Sequence, residues 1–149
     1  MRITRETDYA LLVLTKLATE EERMSASTLA EICGLNVSLV GKVLKLLVKA
    51  ELLTSTRGVY GGYKLHKDPE EITLVDVIVA IEGPMAMNAC NDLENPCDKS
   101  HGCNLAPHWK VINQKLYESF SKVSLQSLLG SPNDLKVDIN LSNLSSKPL

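Results

Sequence analysis

The sequence lacks several features that mark large classes of proteins. It contains no apolar run of about 18 residues, so we expect no transmembrane helix and no membrane partner. Its N-terminus carries charges of both signs and no small-residue cleavage site, which predicts a cytoplasmic protein without a secretory signal. It also lacks a phosphate-binding loop, a zinc-protease motif and a nucleophile–base set. We therefore expect neither an enzyme nor a small-molecule substrate.

The length is that of one ordinary domain, or of a small domain with an appendage, and the charge is unevenly distributed. A chain of 149 residues with 44% hydrophobic residues can bury roughly 70% of its unfolded surface without disulfides. The net charge is −2, but residues 1–67 carry ten Lys/Arg and seven Asp/Glu, whereas residues 68–149 carry six and eleven. The modestly basic N-terminal part suits an anionic partner.

Residues 4–50 contain three predicted helices. The first spans residues 4–19, with Thr4 as its N-cap and an apolar stripe of Tyr9, Leu12, Val13 and Leu17. The second and third span residues 25–50, and the glycine-containing turn between them is typical of a helix-turn-helix. Ser25 or Ser27 caps the second helix, which ends at Gly34, and Asn36 or Ser38 caps the third.

The third helix has two distinct faces. Val40, Val43, Leu44 and Leu47 form its apolar face, and Lys42, Lys45 and Lys49 form a basic stripe. The stripe is either an ordinary solvated face or the phosphate-binding side of a recognition helix. In the second case, N-terminal residues such as Ser38 reach base edges.

Residues 52–65, LLTSTRGVYGGYKL, predict a β-hairpin with a glycine-rich tip. A hairpin directly after a recognition helix is the wing of a winged helix-turn-helix. Glycines allow the tip to approach a sugar–phosphate wall closely. The predicted DNA contacts of the tip are Arg57, Gly58, Tyr60 and Gly61, and the alternative is an ordinary hairpin whose tip faces solvent.

The C-terminal half predicts two more helices. Thr73 and Asp76 resemble a capping box before a helix that ends at Gly83. Residues 107–129 predict a helix about 35 Å long with an apolar stripe of Trp109, Ile112, Leu116, Phe120 and Val123. A second copy of the chain would cover this stripe in a two-fold dimer, although packing within one chain explains part of it. Residues 131–149 predict a disordered tail.

Three of the four cysteines lie close together in a polar segment. Six residues separate Cys90 from Cys97, and five separate Cys97 from Cys103. Thiolates select zinc, copper(I) or iron–sulfur clusters, and a closed site needs a fourth ligand from elsewhere. The alternative is three unrelated thiols on a loop. The fourth cysteine, Cys33, is predicted to be a small buried hydrophobic residue.

Three segments resemble the Rrf2 family of bacterial transcription regulators. They are MRITRETDYALLVLTKLA, STLAEICGLNVSLVGKVLKLLVKAELLTSTRGVYGGYKL and the three cysteines before a Trp-bearing helix. The resemblance covers about residues 1–129. It implies a mainly α fold with a small β-hairpin wing, that is, a winged helix-turn-helix plus a long C-terminal dimerisation helix. It also implies a homodimer that binds double-stranded operator DNA, as repressor or activator, under the control of an iron–sulfur cluster.

The resemblance also bears on the fourth ligand. Members similar to the iron–sulfur biogenesis regulator hold a 2Fe-2S cluster with a histidine three residues after the last cysteine, where this chain has Ala106. Members similar to the nitric-oxide-sensing repressor hold a 4Fe-4S cluster with an aspartate from the first helix of the other subunit, which matches Asp8. A 4Fe-4S cluster on Cys90, Cys97, Cys103 and Asp8 is therefore favoured. The alternatives are a 2Fe-2S cluster with His101 or His108 as fourth ligand, and for Asp8 a simple role as a helix-start charge.

These expectations divide the chain into five regions. They are a winged helix-turn-helix (1–67), a linking helix (68–83), a cluster-binding loop (84–106), a dimerisation helix (107–130) and the tail (131–149). The favoured function is regulation by a cluster that senses nitric oxide, redox state or iron–sulfur status. A regulator that uses zinc or cysteine oxidation is the alternative. The wing and the lysine stripe disfavour a third possibility, a small electron-transfer or cluster-carrier protein.

Overall fold

The computed structural model of the chain describes residues 3–86, 97–99 and 102–135. Within these residues, no helix is both long and apolar enough to cross a membrane. The fold is mainly α-helical, with one two-stranded antiparallel sheet. In chain order the elements are α1 (Arg5–Ala18), α2 (Ala26–Cys33), α3 (Val37–Lys49), β1 (Leu53–Thr56), β2 (Gly62–Leu65), α4 (Leu74–Glu82), α5 (Ala106–Ser121), α6 (Leu125–Leu129) and a 3-10 turn (Pro132–Asp134).

The helix-turn-helix is confirmed, and side-chain caps set its limits. The hydroxyl of Ser25 accepts a hydrogen bond from the Thr28 N–H and caps α2. Gly34 ends α2 with φ of 64°, in the left-handed region that glycine adopts without strain. The Asn36 side chain accepts from the Ser38 N–H at 2.9 Å and caps α3. Of the alternative caps, the structure therefore selects Ser25 and Asn36.

The apolar side of α3 lies at the centre of the core. All four predicted residues of that face are fully buried: Val40, Val43, Leu44 and Leu47. Full burial of each such side chain contributes about 1.5–3 kcal/mol. The same buried cluster contains side chains of α1, α4 and α6, and it extends past the predicted domain limit at residue 67 to Ile72, Val77 and Leu125.

The predicted apolar stripe of α1 is only half right. Val13 and Leu17 are buried, but Leu12 is exposed and Tyr9 is only partly buried. The core instead takes Thr7, Ala10 and Leu14. Two overlapping series with helical spacing exist in this segment, and the packing of α1 against the other helices decides between them.

The predicted hairpin is confirmed, and its register depends on a glycine. Leu53 pairs with Leu65 and Thr56 with Gly62. Tyr63 also forms an isolated bridge with Met24, so the segment before α2 lies against β2. Gly62 has φ of 131°, and a Cβ at this position would lie 2.6 Å from the carbonyl oxygen of Met24. A side chain at residue 62 would therefore displace the hairpin.

The C-terminal helix is shorter than predicted. α5 ends at Ser121, and the prediction of one helix to residue 129 is wrong. Val123 is buried, and its carbonyl oxygen accepts a hydrogen bond from the Leu74 N–H at 2.8 Å. The Leu125 N–H donates to the Ile72 carbonyl at 2.7 Å. These bonds to the start of α4 interrupt the predicted helix between α5 and α6, so α5 extends only about 24 Å. Residues 131–135 of the predicted tail include the 3-10 turn, and residues 136–149 lie outside the described part.

The capping box of α4 is confirmed, and the other end of this helix holds the start of α1. Thr73 and Asp76 exchange both hydrogen bonds of the box. At the C-terminal end, the Glu82 carboxylate accepts from the Thr4 N–H at 3.0 Å and from the Thr4 hydroxyl at 2.6 Å. The hydroxyl of Thr7, the buried polar residue of α1, also donates to it. We call these three bonds the Glu82 clasp.

The Glu82 clasp makes stability depend on pH. Partial burial raises the pKa of the Glu82 carboxyl, but hydrogen bonds from Thr4 and Thr7 lower this pKa by more, so it lies below its ordinary value. A carboxyl with a lowered folded-state pKa stabilises the fold fully above its unfolded-state pKa. This contribution is lost as the pH falls through the folded-state pKa.

We expect Glu82→Gln to lower the free energy of unfolding by roughly 1 kcal/mol at about pH 7, because an amide accepts hydrogen bonds less strongly than a carboxylate. The difference from wild type should shrink below about pH 4. Urea denaturation at both pH values measures it. Glu31→Gln is the matched control, since that exposed carboxylate makes no hydrogen bond within the described residues. Equal losses in the two variants would contradict a specific role of the clasp.

Candidate nucleic-acid interface and metal-ligand segment

The outward side of α3 carries the predicted DNA contacts. Ser38, Lys42, Lys45 and Lys49 are all exposed. They follow one another at three- and four-residue steps and so share one side of the helix. With Gly41 and Leu46 they line a shallow groove of about 630 Å³. The apolar side of α3 is fully buried, so this basic side is the one that a nucleic acid can reach.

The lysines of this groove are available to phosphates. The Lys42 ammonium lies 3.8 Å from the Glu6 carboxylate of α1. An exposed pair of this kind contributes about 0–1 kcal/mol, so a phosphate can displace the carboxylate at little cost. Lys45 and Lys49 form no ion pair within the described residues. The groove therefore presents three cations. By neutralising phosphates, they would release the counterions of DNA, and this release favours binding.

One residue of this groove has no counterpart among the sequence predictions. Gly41 lies in the interior of α3, where glycine costs about 0.5–1 kcal/mol relative to alanine. A Cβ at this position would meet no atom within 4 Å. Packing within the described chain thus gives no reason for a glycine here.

The tip of the wing is fully accessible. Arg57, Gly58, Val59 and Tyr60 are exposed, with Val59 at 97% and Tyr60 at 93%. Gly58 has φ of 109°, and a Cβ on Gly61 would overlap the Thr56 carbonyl oxygen. The glycines thus shape a narrow tip with one cation and two apolar side chains. Val59 was not among the predicted contacts, although its place between Gly58 and Tyr60 was a usable signal.

Arg23 holds the base of the wing, and it is not among the predicted site residues. Its Nη1 donates to the Thr54 carbonyl at 3.5 Å, to the Thr54 hydroxyl at 3.3 Å and to the Gly62 carbonyl at 3.4 Å. The Lys64 ammonium donates to the Glu21 carbonyl at 2.8 Å. These contacts join both strands to the turn before α2, so they orient the hairpin relative to the helix-turn-helix.

Two of the predicted metal ligands lie on the segment that leads into α5. Cys97 and Cys103 are half-buried free thiols. The Cys103 carbonyl accepts from the Ala106 N–H at 3.1 Å, which places this residue at the start of α5. Cys90 and the alternative ligand His101 lie outside the described residues. His108 is exposed on α5, and its Nδ1 lies 3.1 Å from the Asn104 carbonyl oxygen.

The described residues of one chain do not form a complete metal site. Within them, no three His, Cys, Asp or Glu side chains are grouped closely enough to hold a metal ion. Asp8 is exposed in the first turns of α1 and lines a groove of about 420 Å³ with Tyr9, Leu11, Leu12, Thr15 and Leu128. Because this carboxylate is exposed, a second subunit could reach it.

Cys33 differs from the other described thiols. It packs against the hydrophobic core at the end of α2. Burial raises the pKa of the Cys33 thiol, and the Lys16 ammonium offsets only part of this effect. Because the thiolate is the metal-binding form, this thiol is a poor ligand.

The chain is similar in sequence and in fold to transcriptional regulators. The family model described as "Rrf2: Iron-dependent Transcriptional regulator" matches residues 3–131. Protein rrf2 of Nitratidesulfovibrio vulgaris is 30% identical over 132 residues, 87% of each chain. The HTH-type transcriptional regulator NsrR of Oceanobacillus iheyensis is 32% identical over 141 residues, which cover 91% of this chain and 94% of the relative. The solved structure of CymR, the global cysteine regulator of B. subtilis, matches with a TM-score of 0.67 at 27% identity, and the match covers 87% of this chain and 96% of that one.

We expect Arg57→Ala to weaken operator binding without changing thermal stability, because the side chain is exposed and supports no other residue. If Arg57 contacts a phosphate, the slope of log K against log salt should fall by about 1. If it reads a base edge, discrimination against other DNA should fall by about 1–3 kcal/mol. Fluorescence anisotropy at several salt concentrations measures both. Lys110→Ala, which removes a cation from exposed α5, is the control, and equal effects of the two substitutions would exclude a wing contact.

Proposed function

Because the chain belongs to the Rrf2 family of transcriptional regulators, we propose that it acts as a homodimer on double-stranded operator DNA. We further propose that operator affinity depends on an iron–sulfur cluster, with 4Fe-4S favoured over 2Fe-2S. The proposed ligands are Cys90, Cys97, Cys103 and Asp8 of the partner subunit. Nitric oxide, redox state and iron–sulfur status are the candidate signals.

The two-sided character of α3 is the observation that carries the DNA-binding part. Its apolar side is completely buried, which prevents rotation of the helix in the core. Its basic side is exposed along the whole helix from Ser38 to Lys49. In this arrangement the lysines would neutralise phosphates while Ser38, at the N-terminal end, reaches base edges in the major groove. Arg57 and Tyr60 at the wing tip would contact the adjacent backbone or minor groove.

The donor chemistry supports the cluster. Cys97 and Cys103 are free and lie outside the buried core, so metal binding does not compete with packing. Thiolates suit iron–sulfur clusters, whereas a carboxylate is a harder ligand whose bond to iron exchanges more readily. When bound, a cluster supplies a redox-active iron centre whose potential depends on its ligands and exposure. Asp8, as the weakest ligand, would be the point at which a signal molecule enters.

The Glu82 clasp supports a route from the ligands to DNA. Glu82 ends α4, directly before the segment that leads to the cysteines, and it binds Thr4 and Thr7 beside Asp8. α1 carries Asp8 at its start and packs through Ala10 and Leu14 into the core that holds α3. A change at the ligands would therefore act on both ends of the same packed unit. Through the partner's Asp8, it would also change the distance between the two recognition helices.

The surface of α5 supports the homodimer. No residue of α5 is buried in the single chain. Several apolar side chains of this segment are exposed, namely Leu105, Val111, Ile112 and Tyr117. Pro107, His108, Val111 and Ile112 line an apolar groove of about 370 Å³. A second α5 presents the same surface, as a two-fold interface requires.

A cluster-free regulator is the second candidate function. The structural similarity to a global cysteine regulator favours it. In this version, the protein would respond to oxidation of Cys90, Cys97 or Cys103, or it would bind zinc. An electron-transfer or carrier protein gains no support, because the family consists of transcriptional regulators.

The cluster proposal is tested by iron and sulfide analysis of anaerobically purified variants. We expect Cys97→Ala to lose iron and sulfide while it remains folded, because this residue lies outside the core. Asp8→Ala should keep the three thiolates but bind a more labile cluster with a changed visible spectrum. Loss of a helix-start charge alone should cost only about 0.3–1 kcal/mol.

Two matched controls accompany these variants. Cys33→Ala removes a thiol that packs on the core, and His108→Ala removes the described alternative ligand, so both should keep the wild-type iron content. Full iron and sulfide in Cys97→Ala would exclude the three-cysteine site. A wild-type spectrum in Asp8→Ala, together with cluster loss in His108→Ala, would instead favour the histidine-ligated form.

The dimer is tested with Ile112→Glu. Ile112 is 42% exposed in the single chain, so the variant should fold, but a buried unpaired carboxylate in the interface costs several kcal/mol. We expect monomers in sedimentation and weak operator binding, since two half-sites need two linked recognition helices. Lys110→Glu introduces the same charge about 200° away around α5 and should remain dimeric. A tight Ile112→Glu dimer at micromolar concentration would mean that another surface forms the interface.

A further inference from the structure

Gly41 differs from the glycines at the ends of α2 and the wing strands. Gly34 and Gly62 have positive φ, and a Cβ on Gly62 would strike the Met24 backbone. Each is required by the fold of the single chain. Gly41 has an ordinary helical backbone, and a Cβ there would lie in open space. The fold tolerates any helix-forming residue at this position and would be more stable with alanine.

Gly41 also lies at the edge of the surface that is assigned to DNA. It lines the groove on α3 together with Ser38, Lys42 and Lys45. Ser38 precedes it by three residues and Lys45 follows it by four, so these are its neighbours on the helix surface. Without a side chain at residue 41, the helix surface has a notch beside Ser38, the proposed base contact, and Lys45, the proposed phosphate contact.

We propose that Gly41 is a positioning residue for operator binding, because its bare backbone lets α3 lie deeper in the major groove. The major groove is about 12 Å wide and a helix with its side chains is about 10–12 Å across. Little space remains, so the side chains on the facing side set the depth of the helix. A methyl group at residue 41 would hold α3 away from the base edges and lengthen the base contacts of Ser38, whereas the long side chain of Lys45 can still reach a phosphate.

This inference rests on the proposed DNA contact by α3, and it predicts two effects of opposite sign. Gly41→Ala should raise the midpoint of thermal unfolding, because alanine favours the helix and restricts the unfolded chain. It should also reduce operator affinity about tenfold or more, on the scale of one lost base contact. Gly41→Gln should reduce operator affinity further, because the longer side chain fills the notch. Affinity for unrelated DNA and the salt dependence should change little, because the lysines remain.

The test measures thermal unfolding and binding to an operator selected from random DNA by the wild-type dimer. Gly130→Ala is the matched control, since its φ is −82° and its Cβ would make an ordinary 3.6 Å contact with the Ser127 carbonyl. Lys45→Ala tests the underlying DNA contact. Weaker binding by Lys45→Ala with unchanged binding by Gly41→Ala would overturn the role of Gly41 alone. No effect of either substitution, or no DNA selected at all, would overturn the contact by α3 as well.

Discussion

Burial of one side of α3 is the interaction on which the rest of the molecule depends. The four side chains of this face are fully buried: Val40, Val43, Leu44 and Leu47. A rotation of α3 by one residue would turn Lys42 toward the core, and burying an unpaired ammonium costs several kcal/mol. The hydrophobic effect thus determines which side chains of α3 face outward, and the basic groove is a direct consequence of the core.

α1 connects this core to the predicted ligand at Asp8. Its inner side supplies Ala10, Leu14 and Leu17 to the same buried cluster as α3, while its first turns carry Asp8 and the two threonines of the Glu82 clasp. A packed core changes between discrete arrangements rather than deforming gradually. Under the proposed cluster regulation, a change at the start of α1 would reach α3 through this core, and the Lys42–Glu6 pair is a direct contact between these helices.

The parts of the fold that were predicted correctly depend on local chemistry. Caps at Ser25, Asn36 and Thr73 satisfy N–H groups two or three residues away, so a short stretch of sequence contains all the information. Gly58, with its positive φ, and Gly61, whose Cβ would overlap the Thr56 carbonyl oxygen, are also explained by local backbone geometry. The prediction failed beyond Ser121, because helical periodicity in residues 107–129 says nothing about a competing partner. The backbone of Val123 and Leu125 bonds instead to Ile72 and Leu74.

By itself, the sequence determined the helix-turn-helix, the wing and the residue types of the candidate site, since these follow from caps, periodicity and side-chain chemistry. Only the tertiary structure decided which of two stripes on α1 is buried, where the C-terminal helix ends and what holds the wing. It also showed the Glu82 clasp, whose partners Thr4 and Glu82 are 78 residues apart. Such contacts depend on how distant surfaces meet, and the local preferences of either segment carry no signal of the other.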